Sequence, residues 1–167
     1  MLSWNCQGAA SASFRRILKH LLHLHKPSLI CLFEPKVSGV QANDICSSFA
    51  FDEWIRVESV GYSGGIWLFW NNTLSVEILY THPQFISFQV TENGSSPWLM
   101  SAVYGSPNPA LRKRLFMDLS GQYFEPHGPW LIVGDFNSIT DRSEVSSSKT
   151  FTSSRCSAFN NWIFREA

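Results

Sequence analysis

The sequence predicts an α/β fold in which two β-sheets pack face to face and helices cover their outer sides. Three observations lead to this prediction. A strand, a helix and a strand open the chain, strand-like segments dominate its middle, and helices return near its end. The 167 residues are 44% hydrophobic and 14% aromatic, which is enough to bury one core. We therefore expect residues 1–167 to form a single domain.

The opening unit consists of a strand, a helix and a second strand. Residues 1–6 are predicted as the first strand. Apolar side chains then recur every three or four positions from Phe14 to Leu22, which indicates an amphipathic helix, and Pro27 ends the pattern. The apolar run Leu29–Phe33 is short enough to be a buried strand.

Strands are predicted through the middle of the chain. A short helix around Asn43–Phe49 leads into a strand at Trp54–Val60, and Gly64 and Gly65 are predicted to form the next turn. We expect the strands that follow to continue as one antiparallel meander. They are predicted at Ile66–Trp70, Leu74–Tyr80, Phe85–Val90 and Trp98–Tyr104.

The last part of the chain returns to helices around one strand. A helix is predicted from Pro109 to Leu119, because proline is well tolerated in the first turn. Trp130–Val133 is predicted as a buried strand, Ser143–Ser154 as a serine-rich loop, and the segment around Phe159–Ile163 as a final helix.

The charge balance limits how this protein could contact nucleic acid. The formal net charge is zero, so no global positive field would attract DNA, and any contact must be local. Basic residues cluster on two predicted helices, and we expect both clusters to be solvated helix faces. The clusters are Arg15, Arg16 and Lys19, and Arg112, Lys113 and Arg114.

Zinc, disulfides, secretion and membrane insertion are not predicted. The four cysteines form no C-x-x-C pair, and the histidines at 20, 23 and 25 are expected at a solvated helix end. The first residues lack the pattern of a signal peptide, and no apolar run reaches membrane-spanning length. We therefore expect an intracellular protein, nuclear or cytoplasmic, that is not secreted.

Polar side chains stand where predicted strands end. Each alone has an ordinary explanation, because Asn and Asp are common in turns. A carboxylate at the exit of a buried strand, however, is costly to desolvate without a cation or donor beside it. The residues in question are Asn5, Glu34, Tyr104 with Asn108, and Asp135 with Asn137.

Taken together, these motifs resemble those of the endonuclease/exonuclease/phosphatase superfamily. The matching segments are Trp4-Asn5, Glu34, Tyr104-x-x-Pro107-Asn108 and Gly134-Asp135-x-Asn137. Further segments are similar to the endonuclease domain of plant LINE-type (non-LTR) retrotransposon polyproteins, namely 61–67, Trp70-Asn71, 107–110 and 128–130. The resemblance spans essentially the whole chain. It implies a DNase I-like, four-layer α/β/β/α sandwich of two mixed sheets.

The resemblance also implies a metal-dependent hydrolysis of the DNA phosphodiester backbone. The expected reaction is nicking of DNA at an insertion site, which primes a reverse transcriptase domain expected in the parent polyprotein. The expected cofactor is Mg²⁺, with Mn²⁺ as an alternative, because hard cations prefer oxygen ligands. The roles implied are metal binding by Glu34 and Asn5, water activation by Asp135, phosphate binding by Asn137 and Asn108, and charge stabilisation by Tyr104.

The sequence departs from the superfamily pattern in three places. Gln7 stands where many members carry aspartate, and Pro35 stands where threonine is common. The Trp- and Asn-containing hairpin, the Arg-Leu-Asp segment and the Ser-Asp-His signature are not found after Asn137. We therefore expect a C-terminally truncated copy with an incomplete second half, uncovered sheet edges and impaired activity.

Two alternatives remain open at this stage. The chain is either a non-catalytic remnant, retained at most as a binding module, or a superfamily phosphatase or phosphodiesterase that acts on RNA or a phospholipid. The segments that resemble plant retrotransposons argue against the second alternative.

Overall fold

A computed structural model of the protein describes residues 1–60, 63–120, 129–145 and 153–166. The strands within these ranges are β1 (Leu2–Asn5), β2 (Leu29–Phe33), β3 (Glu53–Val60), β4 (Ser63–Trp70), β5 (Leu74–His82), β6 (Phe85–Glu92), β7 (Trp98–Tyr104) and β8 (Trp130–Asp135). The helices are α1 (Ala12–His25), α2 (Gly39–Ser47), α3 (Pro109–Leu119) and α4 (Ser153–Glu166), with a 3₁₀ turn at Arg142–Glu144. No helix in these ranges is long and apolar enough to cross a membrane.

The strands form two four-stranded sheets, which confirms the predicted fold class. One sheet has the order β1-β2-β4-β3 and the other has the order β5-β6-β7-β8. Each sheet is mixed: β1 and β2 are parallel, β7 and β8 are parallel, and the remaining neighbours are antiparallel. The predicted single meander is wrong, because the chain changes sheets between β4 and β5. Alternation of side chains locates a strand but does not identify its partner.

Three apolar layers hold the four-layer sandwich together. Leu29, Cys31 and Phe33 of β2 face the other sheet, whereas Ile30 and Leu32 face the helices α1 and α2. The outer face of the second sheet packs against α3 and α4. Because β2 is covered on both faces, all five of its residues are buried, as its continuous apolar sequence predicts.

Strand β8 is not the buried strand that its sequence predicts. It pairs with β7, and no other strand of the described residues pairs with it. Leu131 is 42% exposed as a result. An apolar run shows that a segment prefers to be covered, but it does not show whether a neighbouring strand covers it.

Two further local predictions are wrong. Gly64 and Gly65 lie inside β4, with φ of 83° and 89°, rather than in a turn before it. Arg112 is not on a solvated helix face. It is 5% exposed, and its Nη1 donates hydrogen bonds to the carbonyl oxygens of Ser106 and Pro107 at 2.8 and 3.1 Å. Arg112 therefore fixes the loop that leads into α3.

The remaining local predictions differ only at their ends or cannot be compared. The second helix begins at Gly39, four residues before the predicted segment. The predicted serine-rich loop falls mainly on residues 146–152, which lie outside the described residues, as do Gly61, Tyr62 and Gly128 of the segments that carry the resemblance.

We predict that Gly134→Ala is much more destabilising than Gly94→Ala. Both glycines have positive φ, 149° and 82°, but a Cβ on Gly134 would overlap the carbonyl group of Val103, whereas nothing lies within 4 Å of a Cβ on Gly94. We expect Gly94→Ala to lower the free energy of unfolding by about 1 kcal/mol and Gly134→Ala by about 3 kcal/mol or more. Urea unfolding followed by circular dichroism measures both, and equal losses would contradict the close approach of β7 and β8.

Candidate active site

The parallel pair in each sheet delivers polar side chains to the same end of the sandwich. Asn5 ends β1 and Glu34 follows β2, and these strands run side by side in the same direction. Tyr104 and Asp135 are register partners at the ends of β7 and β8. Because the two sheets pack face to face, the four strand ends meet across the sandwich.

Hydrogen bonds join these side chains into one group, called here the carboxylate cluster: Asn5, Glu34, Tyr104 and Asp135. The amide nitrogen of Asn5 donates to Asp135 Oδ2 at 2.7 Å and contacts Glu34 Oε1 at 3.4 Å. The Tyr104 hydroxyl donates to the same Glu34 oxygen at 3.0 Å. Residues separated by up to 130 positions in sequence thus share one site.

Glu34 is held in an unusual backbone conformation. Its φ is 53°, in the left-handed region that non-glycine residues seldom adopt, and its N–H donates to the carbonyl oxygen of Gly65 at 3.2 Å. Lys36 Nζ lies 3.0 Å from Glu34 Oε2. Partial burial would raise the pKa of Glu34, but the hydrogen bonds from Lys36, Tyr104 and Asn5 hold it below its ordinary value. Glu34 is therefore ionised at neutral pH.

Asp135 and Asn137 form an Asx-turn at the same end of the sheet. Asp135 Oδ1 accepts a hydrogen bond from the Asn137 N–H at 2.9 Å, and Asn137 has φ of 47°. The Asn137 amide nitrogen donates to the carbonyl oxygen of Gly105 at 2.8 Å. The turn thus ties Asn137 to the cluster through Asp135, and both Asp135 oxygens accept hydrogen bonds.

Asn108 is outside this network. It is the N-cap of α3, where its side-chain oxygen accepts a hydrogen bond from the Ala110 N–H at 2.9 Å, and Pro109 follows in the first turn. The cap occupies the oxygen of Asn108, so the amide nitrogen is the part of the side chain suited to donate to a ligand. The structure therefore groups five of the six predicted site residues and places Asn108 separately, at the start of α3.

Lys36 is a site residue that the sequence analysis did not select. Its position two residues after Glu34, at the exit of the same strand, is the signal in the sequence that points to it. The ion pair with Glu34 makes Lys36 the positive charge nearest the cluster among the described contacts.

The donor atoms of the cluster suit a hard divalent cation. Glu34 and Asp135 offer carboxylate oxygens and Asn5 offers an amide oxygen, the ligand types that Mg²⁺ prefers. Two carboxylates contact one amide nitrogen, and among the described ion pairs Lys36 alone brings a positive charge to them, so a further cation would be favoured. The Asn5 oxygen accepts the Gln7 N–H at 3.2 Å, so binding through it requires the amide to rotate. No group of three His, Cys, Asp or Glu side chains among the described residues suits a metal.

The sequence model of the Endonuclease/Exonuclease/phosphatase family matches residues 2–165. The chain belongs to this family. The resemblance predicted at the superfamily level is thereby confirmed, and members of the family generally depend on a divalent metal. No curated protein matches the chain in sequence.

Several solved structures of the family share this fold at low sequence identity. The AP endonuclease LMAP from Leishmania major has a TM-score of 0.68 at 13% identity, over 98% of this chain and 65% of that protein. ANGEL2, a 2′,3′-cyclic phosphatase, has a TM-score of 0.54 at 14% identity, over 83% of this chain and 52% of that protein. The endonuclease domain of TRAS1, a telomere-specific non-LTR retrotransposon, has a TM-score of 0.61 at 15% identity, over 98% of this chain and 70% of that domain. The chain thus spans 65% and 52% of the first two structures.

We predict that Tyr104→Phe destabilises the metal-free protein at neutral pH and not in acid. Because the folded pKa of Glu34 is lowered, its stabilising contribution is present above the ordinary value of 4.5 and is lost as pH falls through the folded pKa. Removing the hydroxyl should lower the free energy of unfolding by about 1 kcal/mol at pH 7. Urea unfolding in EDTA across the pH range measures the difference.

The control for this prediction is the same substitution in a Glu34→Gln background. A neutral side chain at position 34 accepts the Tyr104 hydroxyl more weakly and does not titrate, so the loss should be smaller and independent of pH. A loss that is equally large and equally pH-dependent in both backgrounds would show that Tyr104 does not act through Glu34.

Proposed function

We propose that this chain is part of a DNA-nicking endonuclease from a non-LTR retrotransposon and that its carboxylate cluster is the catalytic site. The observation that carries the proposal is the convergence of Asn5, Glu34, Tyr104 and Asp135 from four strand ends. A cluster of two carboxylates, an amide and a phenol provides oxygen ligands, a base and hydrogen-bond donors. Hydrolysis of a phosphodiester requires these groups.

We propose Mg²⁺ as the cofactor, with Mn²⁺ as the alternative, held by Glu34 and Asn5. When bound, the cation would neutralise negative charge on the phosphate oxygens. Glu34 suits this role because its lowered pKa keeps it ionised without a metal. Lys36 supports the same role by holding the second carboxylate oxygen of Glu34 in place.

The remaining residues act on water and phosphate. Asp135, fixed through both carboxylate oxygens, orients the attacking water and accepts its proton. Asn137 keeps one amide hydrogen on Gly105 and has a second to donate to a phosphate oxygen. From the start of α3, the Asn108 amide N–H donates a hydrogen bond to a phosphate oxygen, and Tyr104 stabilises developing charge.

The retrotransposon origin is proposed because the segments that lie between the site motifs resemble those of plant non-LTR retrotransposons. The similarity to the TRAS1 endonuclease domain supports this origin at the level of fold. We propose that residues 1–167 are the first part of one domain, that the Ser-Asp-His segment belongs to the rest, and that a reverse transcriptase domain follows in the parent polyprotein. This chain covers 65% of the LMAP structure and 70% of the TRAS1 endonuclease domain, which supports this proposal. Reading the DNA downstream of the Ala167 codon tests this continuation, because a frame without these segments would refute it.

A non-catalytic binding module is the second candidate. Within the described residues no strand pairs with the second side of β8, and Leu131 on this strand is 42% exposed. This favours the second candidate, because an unpaired strand with an exposed leucine is a surface for association rather than for catalysis. The two candidates differ in whether the protein nicks DNA when Mg²⁺ is present. A nicking assay on one protein preparation therefore distinguishes them.

We predict slow, Mg²⁺-dependent nicking of supercoiled plasmid by this chain. Asp135→Asn should reduce the rate at least a hundredfold, because loss of a general base costs about 10²–10⁴ in rate. Asp44→Asn, an exposed acid on α2, is the matched control and should nick like the native chain. Gel electrophoresis measures the rates. Nicking that persists in EDTA or in Asp135→Asn would indicate a contaminant, and no nicking at any Mg²⁺ concentration would favour the binding module.

We predict that Mg²⁺ stabilises the folded protein and that Glu34→Gln removes this effect. Magnesium at one hundred times its dissociation constant should raise the free energy of unfolding by about 2.7 kcal/mol. Glu77→Gln, an exposed glutamate on β5, is the matched control and should keep the full stabilisation. Thermal unfolding with and without Mg²⁺ measures the effect without any need for catalysis. Equal stabilisation of both variants would place the metal elsewhere.

A further inference from the structure

Two adjoining cavities lie between α3 and α4, outside the second sheet. Their volumes are about 280 and 190 Å³, and both are lined by Lys113, Phe116 and Ala158, so they form one groove, called here the α3–α4 groove. Each cavity has room for one small polar group. Another cavity, of about 490 Å³ beside Tyr104, is separate, because Leu111 and other residues on a different face of α3 line it.

The described residues that line the groove carry positive charge. Arg112 and Lys113 come from α3 and Arg165 comes from α4, whereas no Asp or Glu is among the described lining residues. Arg112 also binds the carbonyl oxygens before α3, and Arg165 donates to the hydroxyl of Ser120. Lys113 is exposed and belongs to none of the described ion pairs. A negatively charged ligand is therefore favoured in the groove.

Two buried polar groups in the groove lack a partner. Ser138 lines the larger cavity and Trp162 lines the smaller one. The Ser138 hydroxyl and the Trp162 indole N–H are both buried, and neither has a hydrogen-bond partner among the described residues. Trp162 is 6% exposed, and an indole N–H can only donate. Because buried polar groups are almost always paired, these two groups indicate that each cavity takes an acceptor.

A phosphate group fits both observations, because it is negatively charged and its oxygens accept from lysine, hydroxyl and indole donors. The larger cavity begins at Pro109 and Ser138, which directly follow Asn108 and Asn137. Those two asparagines are the proposed phosphate ligands beside the carboxylate cluster, so the groove continues the path of a strand that is bound there. From Pro109 to Met117 it follows α3 for about 12 Å.

We propose that the α3–α4 groove binds the phosphate backbone of one nucleic-acid strand outside the cleavage site, with one phosphate in each cavity. The inference rests on the proposed nuclease function, which brings the strand to the start of α3. Lys113 serves both phosphates because it lines both cavities, Ser138 donates to the first and Trp162 donates to the second. Contacts of this kind hold a strand in place without reading its sequence.

The test measures backbone binding without bases and without cleavage. The probe is an end-labelled oligodeoxynucleotide in which every residue is abasic, titrated in EDTA at several salt concentrations by fluorescence anisotropy. Each phosphate contact contributes about 0.7 to the slope of log affinity against log salt concentration, so we expect Lys113→Gln to reduce the slope by about 0.7. Lys19→Gln, the same change at an exposed position of α1, is the matched control and should keep the native slope.

A second measurement follows the indole N–H of Trp162. Trp162→Phe keeps an aromatic ring and removes the donor, so it should weaken binding of the abasic strand severalfold. Trp67→Phe is the matched control and should bind like the native chain, because Trp67 also has a buried indole N–H without a described partner but packs under α1 and α2. In proton–nitrogen NMR spectra, the strand should shift the signal that Trp162→Phe removes and leave the Trp67 signal in place.

Circular dichroism and thermal unfolding establish that the variants fold. If Trp162→Phe does not fold, Ser138→Ala gives the binding comparison, with Ser157→Ala at an exposed position of α4 as control. Sodium phosphate alone is titrated in the same NMR experiment, because inorganic phosphate is another source of the same group. A Trp162 signal that responds to inorganic phosphate but not to the abasic strand would overturn the assignment to nucleic acid.

The outcomes separate this inference from the nuclease proposal. An unchanged salt slope in Lys113→Gln, or an equal loss in Lys19→Gln, would overturn the groove assignment. Binding that depends on the groove in a protein that never nicks DNA would leave the groove site standing and refute the nuclease function. Nicking by a Lys113→Gln protein that keeps the native affinity for the strand would refute the groove site alone.

Discussion

The site depends on two carboxylates that are held within reach of one amide nitrogen. Glu34 and Asp135 come from different sheets, and in isolation their charges would repel each other. Asn5 bridges them, Tyr104 and Lys36 donate to Glu34, and the Asx-turn donates to Asp135. Asn5 and Tyr104 end strands, and Lys36 and Asn137 lie in the loops that directly follow β2 and β8. The arrangement is therefore a property of the whole sandwich and not of any one segment.

The backbone at these strand ends is shaped to bring the donors together. Glu34 and Asn137 adopt positive φ, and Gly105 and Gly134 lie so close to neighbouring backbone that a Cβ would overlap it. Left-handed backbone in a glutamate is unfavourable, and the buried layers on both sides of β2 hold it in place. The apolar core thus stabilises a local geometry that the site residues would not adopt alone.

The family relationship does not by itself identify the substrate. Structures with this fold include an AP endonuclease, a 2′,3′-cyclic phosphatase and a retrotransposon endonuclease domain, all at 13–15% identity to this chain. One fold supports several substrates when the groups around a common centre differ. In this protein the N-cap Asn108 and the cavity between Tyr104 and α3 lie beside the carboxylate cluster.

The sequence by itself determined most of the strands and the helices α1, α3 and α4, because side-chain periodicity is a local signal. Its strand-end motifs suggested six candidate site residues, five of which the structure brings together. It could not show that β4 and β5 belong to different sheets, that β8 has only β7 as a partner among the described strands, or that Arg112 is buried. Partners and burial depend on residues distant in sequence, so only the tertiary structure decides them. The same reason applies to Lys36 and to the cavity beside Tyr104. Their chemistry arises from neighbours that folding supplies.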